Sequence, residues 1–126
     1  HENTRTISII ELGVPLTLLS MPEDTEAAVI EMGISDFGEM TRLSEMVQPT
    51  ICVLTIIGEC HLENLGDRDG VLKAKTEMFK NACENADFIL NGDDDKLSTV
   101  KTVNGKSCFF GLDARTILRK EYKKQR

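Results

Sequence analysis

The stretch "ICVLTIIGECHLENLGDRDGVLKAKTEMFKNACENADFILN", residues 51–91, has two short apolar runs separated by a helical pattern. The runs "ICVLTII" (51–57) and "DFILN" (87–91) are rich in aliphatic and β-branched residues, which is typical of parallel strands buried on both faces. Between them, residues 69–86 place their apolar side chains on one helical face. The stretch therefore predicts a strand, a crossover helix and a second, parallel strand, with right-handed connections.

The segment that precedes this unit repeats the arrangement. "AAVIEM" (27–32) is another short apolar run and predicts a strand. "DFGEMTRLSEMVQ" (36–48) has helical spacing, with Asp36 and Glu39 in a start that resembles a capping box and Pro49 directly after it. These residues predict a second crossover helix, between the strand at 27–32 and the strand at 51–57.

Two further elements complete the predicted fold. "GVPLTLL" (13–19) predicts a helix with Pro15 in its first turn, and "KSCFFGL" (106–112) predicts a strand that could begin an antiparallel extension. The fold class that follows is α/β, a doubly wound, mainly parallel sheet flanked by helices. We divide the chain into a domain at residues 1–113 and a basic, helix-compatible tail at 114–126.

Composition restricts the class of protein. The chain has 126 residues, of which 40% are hydrophobic, so it is expected to form one domain. It has neither a run of roughly 18 apolar residues nor the layout of a secretion signal, so we expect a soluble, cytoplasmic protein without a membrane span. The net charge of -6 argues against nucleic-acid binding.

The charge is distributed unevenly. The tail "ARTILRKEYKKQR" (114–126) has six basic residues and one acidic residue, a net charge of +5 that leaves -11 on the first 113 residues (-6 - 5 = -11). A solvated terminal helix and an anion-binding segment are both open interpretations of the tail. The four cysteines form no CxxC pair, and we expect reduced thiols in the core rather than disulfides or a zinc knuckle.

Polar residues at the carboxyl ends of the predicted strands are the first candidates for function, because open α/β sheets bind ligands there. Glu31, His61 and Asn91 all occupy such positions. Glu31 could instead reach solvent or a helix N-terminus, and His61 could be structural, a ligand for a divalent metal or phosphate, or, with Cys60, part of a zinc site. Asn91 begins "NGDDD" (91–95), which alone is an ordinary turn signal.

Lys75 is an outlier on the predicted helix, because it shares the inward face with apolar residues such as Val71 and Phe79. One interpretation is a lysine whose stem lies along the edge of the core while its ammonium group reaches water. The other is a partly desolvated amine that is available for chemistry.

Taken together, these segments resemble the central, ATP-binding domain of the Mur ligase family. The resemblance covers residues 11–112 and is closest to the members that join D-alanyl-D-alanine to UDP-N-acetylmuramoyl-tripeptide. Four motifs in the family's order carry the resemblance: "LGVPLTLL" (12–19), "AAVIEMGISDFGEM" (27–40), "TIIGECHLENLGDRDGVLKAKTEMF" (55–79) and "ILNGDDD" (89–95).

The resemblance implies a role for each polar outlier. Glu31 and His61 would be magnesium ligands, and Lys75 would be carbamylated and would support a second magnesium ion. Asn91 would contact the adenine of ATP, and Glu63 would support the metal site as a neighbour of a ligand. The implied cofactors are ATP and Mg2+, and the implied reaction activates the substrate carboxylate as an acyl phosphate, which the incoming amine attacks.

The chain contains no G-x-x-x-x-G-K-[ST] and no Gly-Lys-Thr phosphate-binding loop. We therefore expect a fragment of an ATP-dependent ligase that is inactive alone. The alternative is a non-catalytic binding or scaffold module derived from the same fold, which could self-associate through an exposed sheet edge.

Overall fold

The structure, a computed structural model, describes residues 12–101 and 106–112. None of the helices in these two ranges is long and apolar enough to cross a membrane. The predicted tail at 114–126 lies outside the described residues. The elements in chain order are α1 (Gly13–Leu19), α2 (Glu39–Val47), β1 (Ile51–Leu54), α3 (Leu62–Leu65), α4 (Arg68–Thr76), a 3-10 turn (Glu77–Lys80), β2 (Asp87–Asn91), a second 3-10 turn (Leu97–Thr99) and β3 (Lys106–Phe110).

The three strands form one parallel sheet in the order β1, β2, β3. The parallel pairing of β1 with β2 confirms the strand–helix–strand prediction. The predicted antiparallel extension at the last strand is wrong, because β3 pairs parallel to β2. The connection from Asn91 to Lys106 exceeds the dozen or so residues that a parallel return requires, so the chain can start β3 at the same end of the sheet as β2.

The strand predicted at 27–32 is also wrong, because these residues form neither helix nor strand. Val29 is 74% exposed, whereas a strand inside a parallel sheet would bury it. The physical reason is that an apolar run becomes a strand only beside a neighbour that pairs with its backbone. Within the described ranges the pairing partner of β1 is β2, and residues 27–32 pair with neither. Glu31 therefore does not end a strand.

The sheet is covered on one face. Alternate side chains of the strands, including Cys52, Phe88 and Phe109, are buried in a single core cluster with residues of α2 and α4. The other face is open, and Ile51 and Val53 are 55% and 51% exposed there. The expectation that both faces of these strands are buried is therefore wrong for the described chain, in which the helices pack on one side.

The cysteines follow this one-sided packing. All four are free, but only Cys52 is buried, so the prediction of four core thiols is wrong for Cys60, Cys83 and Cys108. Cys60 lies in a loop, Cys83 follows a 3-10 turn, and Cys108 lies on β3. Burial, followed by the charge of Cys83, raises the pKa of the Cys52 thiol to about 11.

The start of α2 contains one of the two hydrogen bonds of the predicted capping box, the one from Asp36 N to the Glu39 carboxylate. The helix begins at Glu39, after Gly38 at a φ of 82°, and the Asp36 carboxylate accepts a hydrogen bond from Phe37 N instead of completing the box. The Glu39 carboxylate reaches back and accepts from Ser35 N at 2.6 Å and from Asp36 N at 3.2 Å. The bond from Ser35 N contributes most to lowering the pKa of Glu39. Glu39 thus orders the loop before the helix.

A distant carboxylate caps α2. Glu77, which follows α4, accepts hydrogen bonds from Gly38 N at 3.0 Å, Thr41 N at 3.3 Å and Thr41 Oγ1 at 2.8 Å. A carboxylate at a helix N-terminus satisfies free N–H groups and interacts favourably with the helix dipole. Glu77 therefore joins the two helices that cover the sheet.

We expect Glu77→Ala to lower the free energy of unfolding by about 1 kcal/mol, because it leaves the N–H groups at the start of α2 without this acceptor. Glu84→Ala is the matched control, since Glu84 is exposed and lies beyond the 3-10 turn. The measurement is urea unfolding followed by circular dichroism. Equal midpoints for the two variants would show that the cap does not stabilise the fold.

Candidate functional site

Side chains, rather than a neighbouring strand, hold the backbone directly after β1. We call residues 55–57 the post-strand segment. Asn91 Nδ2 donates to Thr55 O at 2.9 Å, and Lys75 Nζ donates to Ile56 O at 3.0 Å. The two side chains come from β2 and α4, so the post-strand segment brings together two residues that the motifs indicated separately.

Ile57 is held on both sides of its backbone. Its N–H donates to Asp94 Oδ2 at 2.9 Å, and its carbonyl accepts from Arg68 Nε at 2.9 Å. Arg68 also forms a two-bond ion pair with Asp95. The Ile57 side chain is almost fully buried, with 1% exposed. This residue is therefore fixed by its backbone as well as by its packing.

Asp94 is a buried carboxylate with several donors. It also accepts from Leu97 N at 2.8 Å and Lys96 N at 2.9 Å, and Arg68 Nη2 lies 3.9 Å away. Burial raises the pKa of Asp94, but the hydrogen bonds from Ile57, Leu97 and Lys96 together lower it by more. The pKa therefore lies below its ordinary value. The charged form is thus the one that this environment stabilises.

Asp93 connects the same turn to the end of β3. Its carboxylate accepts from Leu112 N at 2.7 Å. Gly111 has a φ of 135°, and a Cβ atom added there would lie 2.5 Å from the Asp93 carboxylate. Three consecutive aspartates, Asp93, Asp94 and Asp95, therefore contact the end of β3, the post-strand segment and Arg68 of α4.

Asn91 is oriented by two hydrogen bonds within the chain. Its Nδ2 donates to Thr55 O, and its Oδ1 accepts from Asp93 N at 3.0 Å. A primary amide has two N–H donors and an oxygen with two lone pairs, so one donor and one acceptor site are not used by these two bonds. A side chain held in this way keeps one N–H donor and one oxygen lone pair for a ligand.

His61 lies just after the post-strand segment. It adopts the left-handed conformation, with φ 56°, at the start of α3, and its side chain is 40% exposed. Its Nδ1 is 3.8 Å from Glu63 Oε1, and the Glu63 side chain is 73% exposed. The structure thus brings together the predicted metal ligand and its predicted neighbour.

Glu31 is exposed and lies on the irregular segment described above. Residues 12–101 and 106–112 contain no group of three or more His, Cys, Asp or Glu side chains that could hold a metal ion. The zinc interpretation with Cys60 therefore finds no third ligand in the described chain. Magnesium binding by Glu31 and His61 stays a prediction, in which the protein supplies two ligands and the others come from elsewhere.

Sequence reasoning missed the two residues that organise this region, Asp94 and Arg68. The signal was the acidic turn "NGDDD", which we interpreted only as a turn. A run of three aspartates beyond a buried strand, together with an arginine at the start of the preceding helix, could have indicated a buried carboxylate with a cationic neighbour.

Comparison with known proteins identifies the class of protein that this fold and site define. Residues 3–126 match the Mur ligase middle domain, so the chain belongs to the Mur ligase family. Among individual relatives, the chain is 42% identical over 96 residues to the UDP-N-acetylmuramoyl-tripeptide–D-alanyl-D-alanine ligase of Bacillus subtilis. The matched region covers 76% of the chain. It is 35% identical over 119 residues to the ligase of that name from Buchnera aphidicola, covering 89% of the chain.

Solved structures agree with this assignment. MurF from Acinetobacter baumannii superposes with a TM-score of 0.75 at 31% identity, over 79% of the chain and 22% of that protein. MurF ligase from Thermotoga maritima in complex with ADP has a TM-score of 0.71 at 32% identity, over 79% of the chain and 23% of that protein. The chain spans 21% and 26% of the lengths of the Bacillus and Buchnera ligases.

We expect Gly111→Ala to destabilise the protein more than Gly66→Ala. Both glycines have positive φ, which costs about 1–3 kcal/mol for another residue, but only at Gly111 does the new Cβ meet a side chain, that of Asp93. Thermal unfolding of the two variants measures the difference. An equal loss would show that the contact between Asp93 and the end of β3 is easily rearranged.

Proposed function

We propose that this chain is part of the ATP- and magnesium-binding domain of a cytoplasmic ligase that adds D-alanyl-D-alanine to UDP-N-acetylmuramoyl-tripeptide in peptidoglycan precursor synthesis. One observation carries the proposal. The post-strand segment brings Asn91 and Lys75, which stand in separate family motifs, to the same place beyond the carboxyl end of β1. This is where open α/β sheets bind their ligands.

Asn91 fits an adenine contact. One of its N–H groups and one lone pair of its oxygen remain after its bonds to Thr55 and Asp93. An asparagine amide can use such a donor and acceptor together on the N6 and N7 edge of adenine. Because both internal bonds fix the plane of the amide, the adenine would meet a side chain that is already oriented.

Within the proposal, Glu31 and His61 would supply only some of the ligands of a metal site. Mg2+ is usually bound by one or two protein ligands together with phosphate oxygens and water, so two side chains are enough when the nucleotide supplies the rest. The bound ion would neutralise charge on the phosphates during formation of the acyl phosphate. Lys75 has two N–H groups beyond its bond to Ile56 O and is the proposed site of carbamylation.

The activity itself requires residues that are not in this chain. The sequence has no Gly-Lys-Thr loop to hold the phosphates, and the chain spans 21% of the Bacillus ligase. We therefore expect this chain to keep part of the nucleotide and metal site and to show no ligase activity alone. The D-alanyl-D-alanine and UDP-sugar substrates would be bound by the intact enzyme.

The test is a Mn2+ titration followed by NMR, with and without ATP. We expect saturable line broadening of the His61 ring resonances, and we expect Glu31→Ala to abolish it because the carboxylate ligand is lost. Glu26→Ala is the control, since Glu26 is exposed on the same segment. Absence of broadening at His61 in the unsubstituted chain, under both conditions, would contradict the metal assignment.

A second candidate function, a non-catalytic scaffold, is favoured by the open face of the sheet. Ile51, Val53 and Phe110 are 55%, 51% and 41% exposed there, and β1 is an edge strand of the described sheet. The occupant we consider is a second copy of this chain, because two β1 edges related by a twofold axis could pair and join their apolar faces into one surface.

Sedimentation velocity at several protein concentrations tests this candidate. If two copies associate through the open face, we expect a dimer that persists in EDTA and that Val53→Lys disrupts. Glu45→Lys, on an exposed position of α2, is the control for added positive charge. A monomer at every concentration would exclude self-association as the function of this face.

A further inference from the structure

The contacts of Ile57 connect the two halves of the proposed site. Ile57 precedes His61 by four residues, and its N–H and carbonyl bind Asp94 and Arg68. Asp94 follows Asn91 by three residues in the turn after β2. The Asp94 carboxylate therefore attaches the loop that carries the proposed metal ligand to the turn that carries the proposed adenine contact.

We propose that Asp94 is a positioning residue, which fixes the post-strand segment and the loop leading to His61 against the turn that bears Asn91. The inference rests on the proposed function in one respect, because it assigns the purpose of this arrangement to a nucleotide and metal site. Asp94 itself contacts neither ligand in the proposal. It acts through the backbone of Ile57.

Burial distinguishes Asp94 from the carboxylate beside it. The Asp94 side chain is 5% exposed and accepts three backbone N–H groups, two of them within its own turn. The Asp95 side chain is 67% exposed, and its ion pair is with Arg68. Both residues are aspartates next to the same arginine, but only Asp94 binds the post-strand segment.

Both oxygens of the Asp94 carboxylate are needed as hydrogen-bond acceptors. Oδ2 accepts a hydrogen bond from Ile57 N, and Oδ1 accepts hydrogen bonds from Lys96 N and Leu97 N. An asparagine has only one oxygen, so its NH2 group would face N–H donors on one side. A buried donor that loses its acceptor carries a desolvation penalty, and the local backbone is expected to move to relieve it.

The first measurement uses the metal-free chain and compares Asp94→Asn with Asp95→Asn. In Asp94→Asn we expect faster hydrogen exchange of the Ile57 amide and shifted resonances from Thr55 to His61. In Asp95→Asn we expect the Ile57 amide to keep its protection and the shifts to stay near Arg68. The same protection of Ile57 in both variants would overturn the proposal, whether or not the chain binds metal.

The second measurement adds Mn2+ and observes the His61 ring. Substitution of a residue that orients metal ligands typically lowers metal affinity by about ten- to a hundredfold. We therefore expect a loss of Mn2+ affinity of that size in Asp94→Asn and little change in Asp95→Asn. Unchanged affinity in a folded Asp94→Asn would overturn the positioning role. If the unsubstituted chain binds no Mn2+, the proposed function fails. The hydrogen-exchange measurement still tests whether Asp94 holds the Ile57 amide.

Asp94→Glu provides the test if Asp94→Asn does not fold. It keeps both oxygens and the charge but adds one methylene group, so we expect a folded protein in which the Ile57 amide is again hydrogen-bonded and the His61 resonances are displaced. If Asp94→Asn does not fold, a Mn2+ affinity of Asp94→Glu below that of the unsubstituted chain supports the role. If both variants fold, the Mn2+ affinity of Asp94→Glu is expected to lie between those of the unsubstituted chain and Asp94→Asn. Affinity equal to the unsubstituted value together with displaced His61 resonances would overturn it.

Discussion

The buried carboxylate of Asp94 is the constraint on which the arrangement at the carboxyl end of the sheet depends. A charge is retained in a protein interior only where donors surround it, and Asp94 obtains three backbone N–H groups and a nearby guanidinium group. Those donors come from three parts of the chain: the post-strand segment, the turn after β2, and α4. Satisfying one buried group therefore fixes the relative positions of three elements at the edge where open α/β sheets bind ligands.

The rest of the fold is asymmetric around this edge. The helices α2 and α4 bury one face of the sheet, and Glu77 connects them by capping α2 from beyond α4. The other face keeps exposed aliphatic side chains, as at Val53. A parallel sheet is ordinarily covered on both faces, and the described residues supply one layer of helices and the carboxyl ends of the strands. This agrees with the fraction of the relatives that the chain spans.

The sequence predicted the elements that local patterns determine and missed those that depend on distant partners. Helical spacing identified α2 and α4, because amphipathicity is a property of each segment alone. Residues 27–32 resemble β1 in composition, yet only β1 has a strand beside it, and pairing across the sheet is not visible in periodicity. Asn91 and Lys75 were found through motifs, whereas Asp94 was one acid among three, since the burial of a carboxylate emerges only when the turn meets Ile57.

The bond from Lys75 to Ile56 O has a consequence for the proposed carbamylation. The ammonium group is a donor beside a backbone carbonyl, which is an electrostatically favourable pair. A carbamate keeps one N–H that can continue this bond, but it replaces a positive charge by a negative one next to the carbonyl oxygen. That exchange is unfavourable unless a cation compensates for it. Within the proposal, modification of Lys75 and binding of a metal ion therefore stabilise each other. In the metal-free chain, the carbamylated form of Lys75 would be less favourable than the unmodified ammonium form.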